Sequence, residues 1–182
     1  VHAQTLAAYR LLDELRARHP DLEIVSCSSG GARVDLGVLA RTDRVWTSDC
    51  NDALERVAIQ RWTGLLVPPE RMGSHVGPPR AHTTHRDLDL SLRMLVALGG
   101  HAGLEWDITT CTPDELEVLR RWSGLYRELR PLLHDGDAVR SDHPDDAVWV
   151  SGVVAPDRSD AVFTVVSTVT GRGVTPGTVP LP

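Results

Sequence analysis

The sequence predicts an α/β fold, and three observations carry that prediction. Through residues 1–135, amphipathic helical segments alternate with short apolar runs. Past Gly136 the pattern changes to period two, in two runs separated by a turn. Residues able to do chemistry gather at the carboxyl ends of the apolar runs, where β/α barrels place their active sites. Together these fit half of an eight-fold β/α (TIM) barrel over 1–135, followed by the start of a small antiparallel β domain over 136–182. Periodicity alone leaves a small complete α/β domain open as the alternative.

The elements follow in order. Residues 3–18 form a helix with Leu6, Tyr9, Leu12 and Leu15 on one stripe, stopped by His19-Pro20-Asp21. Residues 22–27 read as a buried strand that ends in the loop Ser28-Ser29-Gly30-Gly31. A second strand covers 44–48 and ends at Asp49. A helix over 52–62 starts from Asn51 or Asp52 as N-cap. Leu65-Leu66-Val67 is the third apolar run, and 73–86 reads as a long loop of Gly, Pro and His. A helix over 88–98 and a fourth strand over 103–108 come next. Thr112-Pro113-Asp114-Glu115 is a strong helix start, and that helix runs to about residue 133. Strands over 147–154 and 161–168 flank the turn 156–159, and the tail is rich in Gly, Thr and Pro.

Composition narrows the function classes. The net charge is −6 and every basic residue is arginine, scattered among acids. No basic stripe invites nucleic acid, and no apolar run reaches the ~20 residues of a membrane span. Cys27, Cys50 and Cys111 are an odd, widely spaced set, so reduced thiols in a cytoplasmic protein are expected rather than a disulfide framework. The chain starts inside a helical pattern, which reads as a segment of a longer protein.

Three strand ends carry candidate chemistry: Cys27-Ser28-Ser29-Gly30-Gly31, Trp46-Thr47-Ser48-Asp49 with Asp52 nearby, and Glu105-Trp106-Asp107. Glycines let backbone approach a ligand closely. A carboxylate beside an indole is a candidate general acid, and glycosidases need two carboxylates across the scissile bond. Each has a plainer reading. Gly30-Gly31 is equally a tight turn, Asp52 a helix cap, and Trp46, Trp62, Trp106 and Trp122 packing residues. His75, His82 and His85, with Cys50, match no standard zinc spacing, so no metal is expected. No cofactor is expected either.

The ordered motifs go further than any one of them. Ser26-Cys27-Ser28-Ser29-Gly30-Gly31-Ala32-Arg33-Val34-Asp35, Trp46-Thr47-Ser48-Asp49-Cys50-Asn51-Asp52-Ala53, Met72-Gly73-Ser74-His75-Val76, Gly103-Leu104-Glu105-Trp106-Asp107 and Tyr126-Arg127-Glu128-Leu129-Arg130-Pro131-Leu132 resemble glycoside hydrolase family 36, the melibiase-like α-galactosidases. The resemblance weakens after about residue 168. It implies the C-terminal half of a (β/α)8 barrel, a retaining mechanism, and terminal α-linked galactose as in melibiose or raffinose. It makes Asp49 the general acid/base, and Cys27 and Gly30 sugar contacts. The nucleophile is an aspartate of a Lys-Trp-Asp-type motif on a strand before residue 1, so the 182-residue chain holds half of the active site. Glu105-Trp106-Asp107 is then the last barrel strand, not a second catalytic carboxylate. By analogy the intact protein is a homo-oligomer. Two departures stand out: Ala32 and His85 each occupy a position where glycine is common.

The resemblance implies that an acid at Asp49 holds its proton near neutral pH through burial beside Trp46 and a neighbouring carboxylate. A transglycosidase making raffinose-type sugars and an α-N-acetylgalactosaminidase of the same family are related alternatives. Crowding around Cys27 and Gly30 disfavours the second. A non-catalytic carbohydrate-binding remnant is the alternative of another class.

Overall fold

The computed structural model describes residues 2–169, 178–179 and 181. Most of the Gly/Thr/Pro tail therefore lies outside the described residues. The chain runs α1 (His2–Arg18), β1 (Val25–Ser26), α2 (Leu36–Leu39), β2 (Arg44–Trp46), α3 (Ala53–Thr63), β3 (Met72–Val76), α4 (Leu90–Leu98), β4 (His101–Leu104), α5 (Pro113–Asp135), β5 (Asp137–Ser141), β6 (Val148–Val154) and β7 (Ala161–Ser167).

β1 to β4 form one parallel sheet in sequential order, with Val25 beside Arg44, Val45 beside Met72 and Gly73 beside His101. Parallel neighbours need crossover connections, and α3 and α4 supply two of them. All four carboxyl ends therefore lie on one side. β5 to β7 form a separate antiparallel sheet. The turn between β6 and β7 closes with Ala155 N–H on Asp160 O at 2.8 Å, and Arg158 takes φ 60°.

α4 is the best-buried helix: Leu90, Arg93, Met94, Val96, Ala97 and Leu98 are all inside. Val76, Leu90, Met94, Ala97 and Leu119 make one core cluster, edged by Trp106 and Trp122. Val45, Val67 and Met72 make a second. The third joins Leu98, Leu133 and Val153, so the end of α5 packs the antiparallel sheet against the helices. α5 starts as expected, with a Thr112/Glu115 capping box and Pro113 in its first turn.

Four expectations are corrected. The third strand is Met72–Val76, which overlaps the start of the segment read as loop, while Leu65 and Leu66 are 61% and 84% exposed. The fourth strand lies at His101–Leu104, and Ile108–Thr110 is a single 3-10 turn capped by Asp107. The antiparallel sheet has a third strand, β5, which the sequence did not reveal. α1 has no buried residue. It is held by polar contacts: Tyr9 Oη–H to Asp35 at 2.6 Å and Arg41 Nε to Asp13 at 2.9 Å. No helix among the described residues is long and apolar enough to cross a membrane.

Candidate active site

Asp49 follows the carboxyl end of β2 and is exposed. The Cys27 thiol, beyond the end of β1, lies 4.0 Å from Asp49 Oδ1. Gly30 is buried at φ 69°, and a Cβ there would stand 2.6 Å from Ser48 Cα and 2.9 Å from the Asp49 nitrogen. At Gly31 a Cβ would meet the Thr47 carbonyl oxygen at 2.5 Å. The two glycines thus press one loop directly onto the backbone that carries Asp49. Cys27, Gly30 and Asp49, separated in sequence, meet at adjacent strand ends. The burial of Asp49 beside Trp46 is not found: the Trp46 ring faces Arg56, whose Cζ is 4.5 Å from the ring centre, and His75, also at 4.5 Å.

Beneath this end lies Arg56, 2% exposed. It donates to Thr47 Oγ1 at 2.9 Å, to the Ser48 carbonyl at 3.2 Å and to the Gly73 carbonyl at 2.9 Å. One guanidinium therefore ties the carboxyl end of β2 to the second residue of β3. Burial lowers its pKa to about 10, which leaves it a cation at neutral pH. The sequence reading missed Arg56. Its only signal is a place on the inward face of α3 with Ala53 and Gln60.

Asp52 is fully buried and caps α3, accepting from the amides of Leu54 and Glu55. Its carboxylate also takes Arg86 Nη1 at 2.9 and 2.8 Å and the Thr84 hydroxyl at 2.5 Å. Burial pushes its carboxyl upward, but the Thr84 bond, the two amides and Arg86 outweigh it and hold the carboxyl below its ordinary range. This ion pair anchors the loop after β3 beside the turn that follows Asp49. In that loop the Thr83 hydroxyl is 3.2 Å from Cys50 Sγ, and His85 adopts φ 57°. That left-handed backbone gives a physical reason for glycine at the position.

On the open side, Asn51 Nδ2 donates to Glu105 Oε2 at 3.0 Å, and His75 Nδ1 is 3.6 Å from the same oxygen. Burial lowers the His75 pKa more than Glu105 raises it, so the neutral imidazole is favoured. Gly103 makes room for this ring: a Cβ there would meet His75 Cδ2 at 2.6 Å. Asp107 accepts from Thr109 N–H at 3.0 Å and Thr109 Oγ1–H at 2.6 Å, a capping role. His82 and His85 are exposed, and no group of three or more His, Cys, Asp or Glu among the described residues is placed to hold a metal.

This geometry has close relatives. The melibiase family model matches residues 1–136. An α-galactosidase of Escherichia coli is 50% identical over 163 residues, which cover 90% of this chain and 23% of that protein. The crystal structure of the family 36 α-galactosidase AgaA of Geobacillus stearothermophilus superposes with a TM-score of 0.90 at 34% identity, covering 96% of this chain and 24% of that one. A variant of AgaA solved in complex with raffinose gives 0.86 at 34% identity, over 90% and 23% of the two chains. The chain spans about a quarter of the length of these relatives. It belongs to the melibiase family, among the α-galactosidases of glycoside hydrolase family 36.

Proposed function

We propose that the chain is the acid/base-bearing part of a retaining α-galactosidase that releases terminal α-linked galactose from sugars such as melibiose and raffinose. Residues 1–135 are the C-terminal half of a (β/α)8 barrel, and 136–182 open an antiparallel β domain. Sequential parallel order from β1 to β4 supports the barrel reading, since consecutive barrel strands are neighbours. The three unpaired thiols fit a cytoplasmic location. The raffinose complex of the Geobacillus relative supports the substrate class.

The observation that carries the proposal is the convergence of Cys27, Gly30 and Asp49 at the carboxyl ends of β1 and β2. Cys27 and the Gly30 loop contact the sugar. A carboxylate from outside the chain attacks the anomeric carbon while Asp49 protonates the departing glycosidic oxygen. Asp49 then takes a proton from water as the water oxygen displaces the enzyme carboxylate. Asp107 is not the second carboxylate, because it is engaged in capping its own turn.

The test is the dependence on leaving group of Asp49→Asn in the full-length protein. A 2,4-dinitrophenolate leaves without a proton, whereas a sugar alcohol does not. The variant therefore loses about 10²–10⁴-fold in kcat/KM on raffinose and keeps most of it on 2,4-dinitrophenyl α-galactoside. Azide, which needs no base, restores turnover and yields α-galactosyl azide. Equal losses on both substrates would remove Asp49 from this role. The 182-residue chain alone is expected to hydrolyse no aryl α-galactoside above an Asp49→Asn control.

A further inference from the structure

Two buried polar atoms near the Asp49 strand have no partner: Arg56 Nε, a donor, and Asn51 Oδ1, an acceptor. Orphaned buried groups are rare, and a complementary pair beside one pocket has a specific remedy. Both residues line a small polar pocket between α3, β3 and α4, together with Gln60, Ser74, His75 and Arg93. About 10 Å³ is open there to the centre of a water molecule, which suits one water. Asn51 is 9% exposed and Ser74 1%, so bulk solvent does not serve these atoms.

We propose that this pocket is a binding site for one water, which accepts from Arg56 Nε–H and donates to Asn51 Oδ1. The water completes a chain from Arg56 through Asn51 to Glu105 and His75. Arg56 already fixes Thr47 and Ser48 from below, and Asn51 lies two residues beyond Asp49. The segment 47–51 is thereby clamped at both ends, with Asp49 between. Asn51 and Glu105 are positioning residues for Asp49: they touch neither the reacting atoms nor the proton, but fix the backbone from which the carboxyl projects. This rests on Asp49 being the acid/base.

Glu105 is the better residue to change. Its side chain is 52% exposed, so truncation leaves no buried cavity. In the full-length protein, Glu105→Ala is expected to lower kcat/KM on raffinose by up to about 100-fold, the effect of misplacing a reacting group by roughly 1 Å. On 2,4-dinitrophenyl α-galactoside it stays within about threefold, because that substrate does not use the acid. Glu105→Gln, whose amide oxygen still accepts from Asn51, recovers most of the raffinose activity. An equal loss on both substrates, or no loss on either, overturns the positioning role. If Asp49→Asn itself shows no leaving-group dependence, the acid/base reading fails and the positioning role fails with it. The water is tested separately by a crystal structure of the full-length protein that resolves ordered solvent. Density within hydrogen-bond distance of both Arg56 Nε and Asn51 Oδ1 is expected, and a dry pocket overturns the site.

Discussion

The left-handed backbone of Gly30 and the 2.6 Å approach to Ser48 Cα make this the least forgiving position in the site. An alanine there meets backbone on both counts, and backbone cannot swing aside as a side chain can. The left-handed conformation alone costs about 1–2 kcal/mol. Gly30→Ala is therefore expected to displace the loop from the β2 end and cut kcat/KM on every α-galactoside in the full-length protein, activated substrates included. Retention of full activity would show that the loop has slack. In the sequence, Gly30 read as a place where backbone nears a ligand; the close approach seen in the structure is to the Asp49 strand. The place of Cys27 and Asp49 at strand ends was legible because each closes a recognisable β-branched or aromatic run. Arg56 was not. A lone arginine on a helix says nothing about which carbonyls it meets until β2 and β3 are placed side by side.

Among the elements, β3 was hidden by its composition. Met72-Gly73-Ser74-His75-Val76 lacks a β-branched run, yet most of it is buried. Small residues are needed there: a Cβ at Gly73 would stand 2.9 Å from the Trp46 ring, and Ser74 accepts from Gln60 at 2.6 Å. The apolar run Leu65-Leu66 looked more like a strand because apolarity was the only local signal. α5 was fully legible from its cap, but not the polar cluster it builds with β4. Ala102 N–H donates to Tyr126 Oη at 3.2 Å, and the same hydroxyl is paired with His134 Nε2 at 3.1 Å. Arg44 donates to His101 Nε2 at 3.2 Å, and the two imidazoles lie 5.0 Å apart. The bond from Arg44 uses the lone pair of a neutral His101 ring. Burial lowers both pKa values, helped by Arg44 and His134 at His101, and by Arg130 against Glu70 and Asp135 at His134. The folded state binds fewer protons than the unfolded one, so these rings contribute stability above pH ~6.5 that is lost as the pH falls through and below it. Titration of isotope-labelled His134 is expected to give a midpoint below 6.5, and Arg130→Ala, which removes a cation that opposes the imidazolium, should raise it. A midpoint unmoved by Arg130→Ala would contradict this arrangement.

At the scale of the molecule, much apolar surface lacks cover within the described residues. Leu36 is 83% exposed, Leu11 60% and Val25 47% on the outermost strand of the parallel sheet. Unpaired sheet edges and apolar patches of this kind promote association. The isolated 182-residue chain is expected to aggregate at micromolar concentration and to melt without a sharp transition. A monomeric, cooperative melt in calorimetry would show that the chain is self-sufficient. The overall α/β order was readable in the sequence because helical and strand periods alternate cleanly. An unpaired sheet edge also follows from the half-barrel reading, but which side chains it exposes does not, because exposure depends on neighbours that no periodicity names.

The long helix α5 has a consequence for anyone recombining this protein. Its first half packs Leu119 into the cluster around Val76, and its last turns set Leu133 against Leu98 and Val153. At Gly136 a Cβ would meet Val153 at 2.5 Å, so the junction after the helix is as tightly fitted as its interior. The antiparallel sheet is therefore no detachable cassette. A chimera joined at residue 136 inherits a lock whose key was cut for another door, and it will need Leu98, Leu133 and Val153 exchanged as a set.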